Sequence, residues 1–248
     1  MIRKNLVSKG FGKKPGFQWR GMEISRLEGF SDAVFAFAVT LLVVSLSVPN
    51  DFSQLIQLIK AFPAFGISFT ILILIWYTHY MFFRRYGLND KFTIIINSVL
   101  LLVILFYIYP LKFLFSLMIN QIYGNSTSMI ELSQSSTLMI IYSSGYLAVF
   151  LIFVILHLHA YRNKEYLELN PYEIFYTRYH IQVFLFHVAI SLSSILISIF
   201  GGYELSSVAG YIYFLLGPIL ALHGWIMGKK GKVLRASLQF NDINLNRE

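Results

Sequence analysis

Along the chain, apolar positions gather into runs near residues 29–49, 61–83, 92–118, 137–160, 177–200 and 206–228, separated by short polar or turn-rich segments. Each run reaches or exceeds the about 20 residues that a helix needs to cross a hydrocarbon core. The pattern predicts an all-α membrane protein with six transmembrane helices per subunit. Ahead of the second run, residues 52–63 (FSQLIQLIKAFP) alternate in an amphipathic way and are expected to lie at the membrane interface before the span proper. The one long polar connection, residues 120–136, carries an Asn125-Ser126-Thr127 sequon that is read as incidental.

The first run is unusual in its opening: RLEGFSDAVFAFAVTLLVVSL, residues 26–46. On a helix with about 100° per residue, Phe30, Phe37 and Val44 fall nearly on one line, with Ala33, Thr40 and Leu41 beside them. Asp32 lies about 140° around from that stripe. An ionised Asp at the centre of a span costs about 2.5–3.5 kcal/mol, and less near an end, so this carboxylate needs partners. Arg26 and Ser31 are close in sequence, while Trp76 and His79 in the second run and Asn97 in the third reach it if the three helices pack together. Three readings stay open: a polar network within the bundle, an N-cap formed by Ser31 or Asp32, and direct contact with a transported ion.

Composition agrees with a membrane protein: 56% of residues are hydrophobic and 13% charged, with 23 Phe and 16 Tyr. The absence of cysteine excludes disulfides and thiolate chemistry, so a zinc site would rest on His and carboxylates. The histidines do not assemble one. His157 and His159 point about 200° apart on a helix, and His180 and His187 share a face but sit about 10 Å apart along it. No cofactor and no resident metal are expected, and no enzyme.

The net charge of +8 raises the possibility of nucleic acid, but in a membrane chain the placement of the charge decides. With the N-terminus inside, the cytoplasmic segments collect every Lys and Arg except Lys60 and Lys112. That asymmetry favours six spans with both termini cytoplasmic and no nucleic-acid partner. It divides the chain into a basic, flexible, lipid-facing arm at 1–28, a transmembrane domain at 29–228 and a cytoplasmic tail at 229–248. No span carries a series of arginines of the voltage-sensor kind.

Arg26, Phe30, Ser31 and Asp32 form R-x-x-x-F-S-D at the start of the first span, and WYTHYMFFRRYGLNDKFTIIIN follows at residues 76–97 with Trp76, His79, Asp90 and Asn97 in order. This resembles the transmembrane protein 175 potassium channel family over roughly residues 20–118, and the six-span layout extends the likeness along the chain. The resemblance implies a multi-pass potassium channel of the cell membrane whose first helices surround a central pore. Two-repeat relatives form dimers, so a single-repeat chain implies a homotetramer. Carried over by position, the pore-lining residues are Phe37, Thr40 or Leu41, and Val44, the same stripe that the helical spacing isolates. A structural polar network of Arg26, Phe30, Ser31, Asp32, Trp76, His79 and Asn97 stands behind them. This chain departs from bacterial relatives with Tyr80 in place of a second His, and with Phe37 where Ile or Leu is usual.

A carbonyl filter needs a re-entrant loop of the T-V-G-Y-G kind. The nearest string, GGYE at residues 201–204, has only a short connection around it and reads as a tight turn. Conduction is therefore expected through a hydrophobic constriction permeated by K+, with modest selectivity over Na+. The alternatives are a secondary transporter, which needs midplane ionisable groups or broken helices, and a non-conducting structural protein. Pro63, Pro110 and Pro218 could kink their spans, but no acidic residue lies at the centre of any run.

Overall fold

The computed structural model describes residues 17–45, 48–123 and 130–245, with side chains through Leu238. The basic residues before Phe17 and the Asn125 sequon lie outside the described residues. The six apolar runs are helices: α1 Arg26–Val44, α2 Phe52–Tyr86, α3 Lys91–Ile122, α4 Ser135–Arg162 after a 3₁₀ turn at Leu132–Gln134, and α5 Pro171–Gly201. The last span joins α6 Ser206–Tyr211, a 3₁₀ turn at Ile212–Leu215 and α7 Leu216–Leu245. All six are long and apolar enough to cross a membrane.

Side-chain caps set the starts. α1 begins at Ser25, whose hydroxyl accepts from the Glu28 amide while the Glu28 carboxylate accepts from the Ser25 amide. The alternative of Ser31 or Asp32 as the cap is therefore corrected: the capping box already satisfies the first turn nearly two turns earlier. Asp51 caps α2 through the Gln54 amide at 2.8 Å. The segment expected at the interface is thus the opening of one continuous helix of 35 residues with Pro63 inside it. At about 1.5 Å per residue that helix is about 52 Å long, well beyond a hydrocarbon core of about 30 Å. The GGYE string forms the turn between α5 and α6, with Gly202 at φ 56°.

α1 packs on α2 and α3, α3 packs on α2 and α4, and α4 and α5 form the most extensive pair, with the last span resting chiefly on α5. Between helices in lipid the hydrophobic effect does little, so close approach and hydrogen bonds do the joining. Gly145 of α4 lets the Tyr107 ring of α3 lie directly against its backbone, where even a Cβ would sit 2.2 Å from a ring carbon. Ser143 donates to Ser194 at 2.8 Å, and Ser194 donates in turn to the Ala209 carbonyl at 2.8 Å, linking α4, α5 and α6.

At one end of the bundle, here the basic end, gather the start of α1, the α2–α3 and α4–α5 connections and the basic stretch of α7. Residues 17–25 are fixed there, in contrast to the expected flexible arm. The Arg20 guanidinium forms a bidentate pair with Glu173 at 2.7 and 3.1 Å and donates to the Leu167 and Glu168 carbonyls. The Glu173 carboxylate is fully buried and also accepts from the Gln18 and Asn170 amides. Alongside, Gly87 ends α2 at φ 60° with its backbone against Arg20 and Gly21, a close approach that only glycine allows.

Asp90 caps α3 and accepts from Thr93 at 2.6 Å and His159 at 3.1 Å. Burial pushes this carboxyl up, but the hydrogen bonds from Thr93 and His159 outweigh it and hold the pKa below its ordinary value of 3.8. A carboxyl lowered in the folded state adds stability that is present above its unfolded value and lost as pH falls through the folded one.

Two outcomes follow from the basic end. Arg20→Ala, which strands a buried carboxylate, is expected to cost about 3–5 kcal/mol, whereas Arg26→Ala at an exposed position stays within about 0.5 kcal/mol; thermal unfolding in detergent separates them, and equal losses would contradict the assignment. Asp90→Asn keeps a capping oxygen but removes the charge. Its unfolding midpoint is expected to lie below wild type at neutral pH, with the gap closing below about pH 4; a gap independent of pH would count against the charged pair.

Candidate functional site

α1 divides into two faces. Glu28, Ser31, Phe35, Ala38 and Leu42 are buried against α2 and α3. On the opposite side Phe30, Phe37 and Val44 are 60%, 55% and 71% exposed, with Ala33 and Thr40 exposed between them and Leu41 half-buried at the edge. The buried residues recur at spacings of three and four, the helix period that keeps one face inward.

The buried face is joined by a short chain of polar side chains. His79 donates from Nε2 to Asn97 Oδ1 at 2.8 Å, Asn97 donates from Nδ2 to Ser31 Oγ at 2.9 Å, and Ser31 donates to the Leu27 carbonyl at 2.8 Å. Ser31 and Asn97 are fully buried and His79 is 1% exposed. His79 Nδ1 is buried with no hydrogen-bond partner among the described residues, which leaves Nε2 as the protonated nitrogen. The chain of bonds thus runs from α2 to α3 to α1 and ends on the backbone of α1 itself. A buried bond of this kind contributes about 0.5–1.5 kcal/mol, and an orphaned partner costs about 1–3 kcal/mol.

Asp32 is held separately. Trp76 donates its indole N–H to Asp32 Oδ1 at 2.8 Å. Trp76 stacks on Tyr80 with ring centroids 5.7 Å apart, Tyr80 accepts from Arg84 Nε at 3.2 Å, and Arg84 donates to the Gly21 carbonyl at 2.8 Å. Residues 76, 80 and 84 follow at four-residue spacing, so one edge of α2 carries the ladder. Arg26 and Phe30 are exposed and take no part in either chain. Six residues separate Arg26 from Asp32, which puts them about 120° apart around the helix and out of reach.

The far end of α1 has its own tie. Lys112 of α3 donates to the Ser45 carbonyl at 2.9 Å and to the Ser45 hydroxyl, placing a cation at the helix C-terminus where the backbone dipole favours it. Sequence reasoning passed over this contact, as it did Glu173 and Arg84; a lone Lys inside an apolar run is the available signal for the first. Among the described residues no three His, Asp or Glu side chains cluster as a metal-ligand set.

Six membrane-crossing helices, the first gripped on one face by hydrogen bonds and left open on the other, define a polytopic all-α membrane protein. A model of the family described as endosomal/lysosomal potassium channel TMEM175 matches residues 26–107. A potassium channel of Marivirga tractuosa is 40% identical over 236 residues, spanning 90% of this chain and 95% of that protein. A potassium channel of Chamaesiphon minutus is 29% identical over 146 residues, or 56% of this chain and 66% of that one. The crystal structure of a variant of the potassium channel MtTMEM175, in complex with a nanobody–MBP fusion protein, superposes with a TM-score of 0.78 at 38% identity, covering 88% of this chain and 99% of that one. The chain belongs to the TMEM175 potassium channel family, which is not a family of enzymes.

Removing the central amide with Asn97→Ala is expected to cost about 1–3 kcal/mol, and Trp76→Phe, at an exposed bond, no more than about 1 kcal/mol. Thermal unfolding of the purified protein measures both, and the reverse order would contradict the placement of Asn97 at the centre.

Proposed function

We propose that the chain forms a homotetrameric potassium channel of the cell membrane, with both termini cytoplasmic and the α1 helices of four subunits lining one central pore. The observation that carries this reading is the division of α1: its own subunit holds one face through Ser31, Phe35, Ala38 and Leu42, and leaves Phe37, Thr40 and Val44 outward. One chain cannot enclose a conduit with a single helix face; four such faces turned to a shared axis can.

In this arrangement Phe37 and Val44 form apolar rings, about 10 Å apart along the axis. Such rings exclude water when tight and conduct when the helices splay. Thr40 supports the polar layer between them better than Leu41 does, because Thr40 is exposed while Leu41 is partly covered by its own subunit. The Thr40 hydroxyl donates to the Ala36 carbonyl at 3.0 Å, which leaves its lone pairs free to face a cation. Apolar rings replace none of an ion's hydration shell, so preference for K+ over Na+ is modest and comes from the hydroxyl layer. The residues of the polar chain position the helix and do not touch the ion.

Liposomes loaded with K+ and diluted into K+-free buffer test the reading. Wild-type protein is expected to carry K+ flux, Phe37→Ala and Val44→Ala to change it several-fold, and Thr40→Ala to lower the K+ to Na+ flux ratio. Since these side chains are outward in the subunit, the variants keep the wild-type unfolding midpoint. Flux that is absent, or unchanged by both ring substitutions, would overturn the assignment.

A further inference from the structure

Arg85 is an anomaly at the basic end of α2. It is 6% exposed, yet the ion pairs among the described residues are Arg20–Glu173 and His159–Asp90, and neither includes it. Its guanidinium donates to His180 Nε2 at 2.9 Å and to the Tyr176 hydroxyl at 3.5 Å, and lies over the Tyr176 ring at 4.8 Å. These contacts satisfy donors without neutralising the charge. A buried cation with neutral partners is costly and leaves a place for an anion.

Arg85 also stands at the junction of two cavities. One, of about 160 Å³, opens at the basic end between Arg85, Arg235, Trp19 and Tyr172. The other, of about 500 Å³, runs from Arg85 between α2 and the α4–α5 pair, walled by Ile71, Ile75, Tyr146, Phe150, Val183 and Phe184. The gap follows from the packing. α2 meets α4 and α5 through side chains at the basic end, where Tyr86 bonds Thr177 at 2.8 Å and Phe82 lies 5.1 Å from the His157 ring. Beyond that contact the helices part. Leu74 and Tyr77 on the rim are 59% and 47% exposed, so the groove opens sideways to whatever surrounds the bundle. From Arg85 to Ile71 the α2 wall rises about 21 Å, more than the about 15 Å half-thickness of a hydrocarbon core.

We propose that this groove is a site for an anionic phospholipid, with one acyl chain between α2 and α4–α5 and the phosphodiester between Arg85 and Arg235. The charge sits at the end of the span, where a headgroup lies, and the apolar wall runs inward from it, as an acyl chain does. Two guanidiniums match the spread oxygens of a phosphodiester, and basic pockets between membrane helices are a recurring form of lipid headgroup recognition. The groove volume falls in the about 300–1,000 Å³ range of small-molecule sites. By filling the space that α2 leaves open, the lipid braces the helix that holds Asp32 of α1 through Trp76 and reaches Ser31 through His79 and Asn97. The site rests on Arg85, Arg235 and the groove and does not depend on the pore reading.

Native mass spectrometry of detergent-purified protein, titrated with phosphatidylglycerol or with phosphatidylcholine of the same chains, tests it. Phosphatidylglycerol is expected to be retained in preference, at one per chain, and Arg85→Gln to weaken that retention about tenfold or more, with Arg26→Gln, an exposed arginine at the same end, unchanged. A phosphatidylglycerol analogue with a diazirine on its acyl chain, applied to the wild-type protein, is expected to label α4 at 142–157 and α5 at 180–187. That arm decides the matter if Arg85→Gln does not fold. Equal retention of the two lipids, preference for a free fatty acid, or labelling confined to helices other than α2, α4 and α5 would overturn the site. So would Val183→Trp dissociating the oligomer with phosphatidylglycerol retention unchanged, since the groove would then be a contact between subunits.

Discussion

A fully buried neutral amide, Asn97, joins the first three helices of this membrane bundle. Its oxygen accepts a hydrogen bond from His79 and its nitrogen donates one to Ser31, so the three helices meet at one buried polar point. In hydrocarbon an unpaired amide has nowhere to turn, which makes the rotation of α1 about its own axis a matter of hydrogen bonding. With Ser31 turned inward, Phe35, Ala38 and Leu42 follow it, and Phe37, Thr40 and Val44 have no choice but to face away.

The two ends of α1 are tied by different chemistry, and the difference shapes what can move. At the basic end the helix is continuous with a segment pinned by Arg20 to Glu173 and by Arg84 to the Gly21 carbonyl. At the far end one Lys112 ammonium holds the Ser45 carbonyl and hydroxyl. A multidentate buried ion pair resists displacement more than a single exposed ammonium contact does. The far end is therefore the freer one, and Val44 lies next to it while Phe37 lies nearer the polar chain.

Much of this was legible in the chain. Length and apolarity alone place six helices, because a membrane span must be continuous in a way that a soluble helix need not be. The two faces of α1 were also readable, since Ser31 and the Phe37 stripe differ in character and in angle. Ser25 and Glu28 have capping-box spacing in the sequence, and they start the helix in place of the more conspicuous Ser31-Asp32 pair. Glu173 sits in an equally readable box with Asn170 and Pro171, yet its partner Arg20 is 153 residues away and no local pattern announces it. The groove beside α2 left no trace, because apolar residues that line a gap look the same in sequence as apolar residues that close one.

The central claim is that the outward face of α1 meets an aqueous path shared between subunits, and the chain's lack of cysteine makes it directly measurable. Single cysteines placed one at a time along α1, with K+ flux followed in vesicles exposed to a polar, membrane-impermeant thiol reagent, report which positions see water. Phe37→Cys, Thr40→Cys and Val44→Cys are expected to react and to lose flux, and Ser31→Cys, Phe35→Cys and Leu42→Cys to stay silent. Reaction on the Ser31 face, or none at positions 37, 40 and 44 in a conducting protein, would contradict the account.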